Sequence, residues 1–225
     1  MDGEARVTAG RRIWLAIEMV LLYIAAPLGV YSLLYDYRIP LFRIFPVIFI
    51  VFVVILTLDR QFSWREALGR GITWRELGSI LGIFSIAAPV LTLFAWYDNR
   101  PGFLAFPLYR QDLWLMIMLI YPLVSVTAQE ILFRLFFFGR YRSLLLGNRH
   151  AAILLNAALF AFVHIIFQNV ISVVISLLGG LLFAWRFDKT RSFWAVWLEH
   201  SLYGNLLFTL GLGRYFYTGV SSFSG

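Results

Sequence analysis

Seven apolar stretches divide this chain, each close to the ~20 residues a helix needs to cross hydrocarbon. They cover about 13–35, 41–58, 80–97, 113–138, 151–168, 170–186 and 193–213. Lipid offers no partner to an open backbone N–H or C=O, so stretches of this length pair those groups within helices. The expected fold is therefore all-α, a polytopic bundle of about seven transmembrane helices forming one membrane domain over residues 1–225. Composition agrees: 61% of residues are hydrophobic and 14% charged, against about half and a quarter in a soluble domain. The second stretch is short, and Arg43 near its start has to snorkel toward the headgroups. The sixth begins almost where the fifth stops, at "FQNVIS", which demands a tight turn. No small-residue cleavage site comes after the first run, so it is expected to remain as a span.

Charge gives the expected orientation. With the N-terminus inside, the inner segments hold thirteen basic residues: Arg6, Arg11, Arg12, Arg60, Arg65, Arg70, Arg75, Arg140, Arg142, Arg149, Arg186, Lys189 and Arg191. The outer segments hold Arg38, Arg43, Arg100, Arg110 and Arg214. That excess implies a cytoplasmic N-terminus and an outward C-terminal stretch, 214–225. The net charge of +7 thus reports topology. No Lys/Arg run interleaves with the aromatics as a nucleic-acid groove requires, so no nucleic-acid partner is expected. The chain has no cysteine, which excludes disulfides, thiolate metal sites and cysteine nucleophiles.

The longest inner loop, about 59–79, contains a small repeat. Ser63 with Glu66, and Thr73 with Glu76, have capping-box spacing, and a Trp stands directly after each cap. Two short helices lying on the inner leaflet are expected there, with a structural role ahead of a substrate-docking one.

Polar groups inside spans are costly and mark cavities or partners. Here they are Glu18, Gln129, Glu130, Arg134, His164, Glu199, His200 and Asn205. Glu18, near the inner edge, suits a structural pairing. Glu130 and Arg134 are four apart, the acid first, and so share a helix face as an ion pair. Two of the three histidines, His164 and His200, fall in other spans. At ~1.5 Å of rise per residue, Glu130, His200 and His164 lie roughly 13, 10 and 20 Å from the inner edge, within reach of one cavity opening inward. Glu and His can activate water as general bases while another His and an amide stabilise an oxyanion. Equally, Glu130, His164 and His200 can hold Zn²⁺ and acidify a bound water. A transporter would also bury such groups, but paired, broken spans in two related halves are missing from the sequence.

"QEILFR" at 129–134, "FAFVH" at 160–164 and "HSLYGN" at 200–205 resemble the three motifs of the CAAX-protease and bacteriocin-processing (CPBP, or Abi) family of intramembrane proteases. The family patterns are EExxxR, FxxxH and HxxxN, on separate transmembrane helices, and the likeness covers about 113–213. The resemblance implies an endopeptidase acting on membrane-associated peptides or proteins in a lipid bilayer. A bacterial inner membrane is the expected location. It implies that the leading Glu and the second motif's His activate water, with the third motif's His and Asn at the oxyanion. No cofactor is needed on that view; an older view makes these enzymes zinc proteases. The sequence departs from the pattern twice. Gln129 stands at the leading Glu, leaving Glu130 as the acid, and Asn205 is five residues after His200, with Gly204 in the fourth place. A π-bulge beside Gly204 is expected to restore the facing of Asn205. The site residues implied are Glu130, His164, His200, Asn205 and Gln129, with Arg134 anchoring Glu130. The alternative is a non-catalytic relative that binds membrane peptides in an immunity or chaperone role.

Overall fold

The computed structural model of the chain describes residues 8–59, 62–145 and 148–218. In chain order its main helices are α1 (Ala9–Tyr35), α2 (Leu41–Leu58), α3 (Trp64–Gly69), α4 (Trp74–Asp98), α5 (Gln111–Arg140), α6 (Arg149–Phe167), α7 (Val170–Thr190) and α8 (Phe193–Thr209). Among the described residues there is no strand, so the all-α expectation holds, and all seven apolar segments are helical. Five of them, α1, α4, α5, α6 and α7, are long and apolar enough to cross a membrane. The other two are close to that length: α2 has 18 residues and α8 has 17.

Local chemistry sets most helix starts. Thr8, Ser63, Thr73, Asn148, Asn169 and Ser192 each stand just before a helix and accept a backbone N–H from its first turn. Such caps satisfy donors that a helix cannot pair internally. The stops are equally local. Gln168 and Arg191 adopt φ of 52°, the left-handed turn that ends α6 and α7. Gln168 and the Asn169 cap together make the tight α6–α7 connection that "FQNVIS" called for.

The inner loop corrects one expectation. Ser63 does cap a short helix, α3, but the capping box at Thr73 starts the long helix α4 instead of a second interfacial one. The two runs differ downstream of their caps: Gly69 to Gly71 interrupts the first, whereas the second continues without a break into apolar sequence. The loop is fastened to α8, where Ser192 Oγ donates to the carbonyls of Arg70 and Gly71, and Trp194 Nε1 to that of Leu68. Arg6, Arg60 and residues 219–225, which also enter the topology argument, lie outside the described residues.

Packing is uneven. Only 6% of the apolar stretch of α4 is buried, against 44% of that of α6. The α6–α7 hairpin is tight because a Cβ at Gly180 would stand 3.1 Å from Ala157 Cα, the small-residue contact that lets membrane helices approach. Around it, Tyr23, Phe52, Phe133, Phe136, Phe137 and Phe160 form an edge-to-face aromatic core. Glu18 is paired, as its position suggested: it accepts from Arg140 and from Tyr141 Oη (2.9 Å), and Arg140 Nη1 also reaches Asp59 at 2.9 Å.

Candidate active site

The helix that carries the first motif is not regular. Two π turns interrupt α5, at Tyr121–Val126 and at Ile131–Phe136. Pro122, in the first, has no N–H to give the ladder, and each π turn adds one residue and turns the face beyond it. Neighbouring helices supply donors to carbonyls along this stretch. Asn205 Nδ2 gives to Met118 (3.2 Å), Trp197 Nε1 to Pro122 (3.0 Å), Tyr23 Oη to Leu132 (2.6 Å) and Asn156 Nδ2 to Phe133 (2.6 Å). Irregular backbone at membrane depth persists where such partners re-satisfy it.

Between the π turns lies Glu130, fully buried. Its Oε1 is 2.7 Å from Nδ1 of His200 on α8. Its Oε2 is 3.2 Å from Arg134 Nε, close enough for an ion pair but not aligned as a hydrogen bond. Arg134, also fully buried, donates through Nη1 to Asn156 Oδ1 at 3.0 Å and lies over the Phe160 ring, 5.0 Å from its centre. The sequence-expected pair is thus present, and it extends to His200. At the other ring nitrogen, His200 Nε2 is 3.2 Å from the hydroxyl of Tyr121, and Phe183 stacks on the imidazole at 4.5 Å.

His164 ends the helical run of α6, buried, with Nδ1 2.7 Å from the Phe160 carbonyl. A ring nitrogen facing a carbonyl carries the proton, so Nε2 keeps its lone pair. Both histidines pack on Phe160, at 4.9 Å for His164 and 5.8 Å for His200. His164 also meets Phe216, which lines a cavity of about 560 Å³ together with Ile117, Phe208, Asn99 and Arg110. This cavity opens at the end of the bundle where α4 finishes and α5 starts. His164 sits toward this same end, at the far end of α6 from Arg149, although it is Phe216 and not His164 that lines the cavity.

Two other expectations change. No π-bulge comes after His200: α8 is regular from Phe193 to Thr209, and the π turns are on α5 and, at Leu21–Ala25, on α1. Five residues on a regular helix is about 140° of rotation, and Asn205 turns its amide to Met118 instead. Gln129 donates through Nε2 to Ser125 Oγ at 2.9 Å, while its Oε1 is buried without a partner. As for zinc, the described residues contain no group of three or more His, Asp and Glu able to hold a metal ion. Glu130 Oε1 and His200 Nδ1 face each other at 2.7 Å through atoms a shared metal would need, so this donor set does not fit one.

Sequence reasoning missed Tyr121 and Asn156. Asn156 was findable, since Asn156, Phe160 and His164 recur at four-residue spacing and so share a face of α6. Tyr121 left no such sign; what betrays it is a side chain that is missing, at Gly204.

Fold and site define a multi-helix integral membrane protein with a buried carboxylate–imidazole cluster. Residues 111–206 match the family model described as Rce1-like, type II CAAX prenyl endopeptidase Rce1-like. That stretch runs from the start of α5 into α8 and takes in all three motifs, so the resemblance to the CAAX-protease family is supported over those residues. No curated protein and no solved structure matches the chain.

Proposed function

We propose that the chain is an intramembrane endopeptidase of the CAAX-protease type, cutting membrane-associated peptides or proteins, with His164 as the group that activates water. The observation that carries this reading is the state of the His164 ring, whose Nδ1 is committed to the Phe160 carbonyl and whose Nε2 is left to accept a proton. Water attacks the scissile carbonyl as its proton passes to His164 Nε2, and the same proton later goes to the leaving amine. Glu130, held by Arg134 and facing His200 Nδ1, serves to fix the imidazole of His200 beside the oxygen that gains charge. On this view Glu130 acts through His200, and Gln129 orients water without taking its proton.

The test is direct. Purified protein in lipid vesicles, incubated with a panel of membrane-anchored peptides, should give products by mass spectrometry, and His164→Ala should give none. Cleavage that survives His164→Ala sinks the reading.

One observation favours a second reading, a peptide-binding relative without turnover. Gln129 occupies the place of the family's leading Glu, and its amide is already engaged with Ser125. If both wild type and Gln129→Glu bind the panel and cleave nothing, the binding role is the correct one.

A further inference from the structure

The third motif is incomplete at position 204, and the structure holds something in the gap. Gly204 is buried on α8, one turn after His200. A Cβ built there would stand 2.2 Å from Tyr121 Cε1, 2.4 Å from its hydroxyl oxygen and 2.6 Å from Cζ. The phenol of Tyr121 therefore occupies the volume that a side chain at 204 would take. Its hydroxyl is 3.2 Å from His200 Nε2, so it brings a polar hydrogen to the place where the HxxxN pattern carries an amide.

The ring is held there by two contacts. Phe208 packs edge-on against it at 5.1 Å, and the π turn that begins at Tyr121 is pinned by Trp197, whose Nε1 reaches both the Pro122 carbonyl and Thr127 Oγ1 at 3.0 Å. Arg134, Glu130, His200 and Tyr121 thus form a line of polar contacts across the bundle. Arg134, Glu130 and His200 are buried, whereas Tyr121 is partly exposed. Phe208, packed on the Tyr121 ring, and Ile117, one turn before it, both line the cavity at this end of the bundle.

We propose that Tyr121 is a catalytic residue of this site, its hydroxyl taking over the oxyanion contact that Gly204 cannot make. The proposal rests on the peptidase reading above. As water adds to the scissile carbonyl, the carbonyl π pair moves onto oxygen, and the Tyr121 O–H donates a hydrogen bond to that oxygen without transferring its proton. At rest the phenol oxygen and His200 Nε2 face each other at 3.2 Å; as charge builds on the substrate oxygen, the O–H turns to it. When the C–N bond breaks, the electron pair returns to the carbonyl and the contact relaxes. The geometry also accounts for the pairing of the two residues: a bulky phenol at 121 and a side chain at 204 exclude each other.

Tyr121→Phe keeps the ring and its contact with Phe208 and removes only the hydroxyl. In vesicles, with the peptide panel, it should lower kcat by about 10²–10³, the usual effect of losing one oxyanion donor, with KM little changed and an unaltered thermal unfolding midpoint. Tyr121→Ala should lose activity as well, and adding Gly204→Asn to that variant should restore it at least tenfold, because the amide then has room. Unchanged kcat in Tyr121→Phe overturns the proposal. A second measurement keeps it separable from the peptidase reading. A membrane-anchored peptide with a tetrahedral phosphonate at the scissile position should bind wild type more tightly than the same peptide with an amide, and Tyr121→Phe should remove that preference. A wild type that cleaves nothing yet shows a Tyr121-dependent preference sinks the peptidase reading and keeps the oxyanion contact. A preference that persists in Tyr121→Phe, or none in wild type, overturns the proposal.

Discussion

Glu199 and His200 are neighbours on α8, pointing about 100° apart, and each meets a buried partner of opposite character. Glu199 is closed. Both its oxygens accept from Arg186, at 2.8 Å each, and Arg186 gives its remaining Nη1 to Ser79 Oγ at 3.0 Å. The cluster on the other side is open. Glu130 Oε2 and Arg134 Nε and Nη2 make no aligned hydrogen bond, although both side chains are fully buried. A buried ion pair keeps both charges at low cost only when its lone pairs and protons are matched. The Arg186–Glu199 pair meets that condition and so serves as a strut between α7, α8 and α4. The Glu130–Arg134–His200 cluster does not, which fits its proposed place in the active site, where local rules are relaxed for function.

The sharpest way to break this contrast is through turnover. Gln129→Glu, which puts a carboxylate beside the open cluster, should raise peptide cleavage by about 10²-fold, the low end of a positioned general base's worth, because His164 already takes the proton. Replacing the closed pair together, Arg186→Met with Glu199→Leu, should leave cleavage as it was, measured by product formation in vesicles. If the second change abolishes cleavage while the first does nothing, the assignment of strut and site is reversed.

Stability sharpens it next. Arg134→Ala takes the only guanidinium from buried Glu130, leaving it His200 alone, and Arg186→Ala leaves Glu199 buried and unpaired; each should cost about 3–5 kcal/mol in chemical unfolding from mild detergent. Adding Glu130→Ala to the first should recover part of the loss; a double variant no better than the single would show that the pair contributes nothing. For the closed pair, the Met/Leu replacement should be neutral or stabilise by about 1–4 kcal/mol. The smallest effect lies outside both clusters: Thr73→Ala removes the cap of α4 and should cost about 1 kcal/mol in the same assay.

The same contrast explains what the sequence could say. The ion pair of Glu130 and Arg134 was legible because it is local, four residues apart on one helix, and the helix starts at Ser63 and Thr73 were legible because each cap lies within three residues of the N–H it accepts. The Arg186–Glu199 pair, thirteen residues apart across a turn, was half legible: Glu199 stood out as a buried acid, while Arg186 passed for a loop charge. What could not be read were the π turns of α5. Pro122 interrupts the ladder beside Tyr121, but a proline alone does not specify a π turn and nothing near Ile131 announces the second, since both depend on donors from α1, α6 and α8. With them went the expectation of a bulge at Asn205, because the register change that brings the motifs together had been placed on the wrong helix.

The 17 residues of α8 have one further consequence. At 1.5 Å per residue that helix measures about 26 Å, some 4 Å less than the hydrocarbon of an ordinary bilayer, about 30 Å thick. Where α8 borders lipid, the acyl chains beside it must compress or the headgroups must dip, at fractions of a kcal/mol per ångström. The lipid surface is then drawn toward the depth of His200, which stands seven residues, or roughly 10 Å, along the helix from Phe193. Acyl-chain length thereby becomes a variable of the site itself, with short-chain lipids relieving the mismatch and long-chain lipids deepening it.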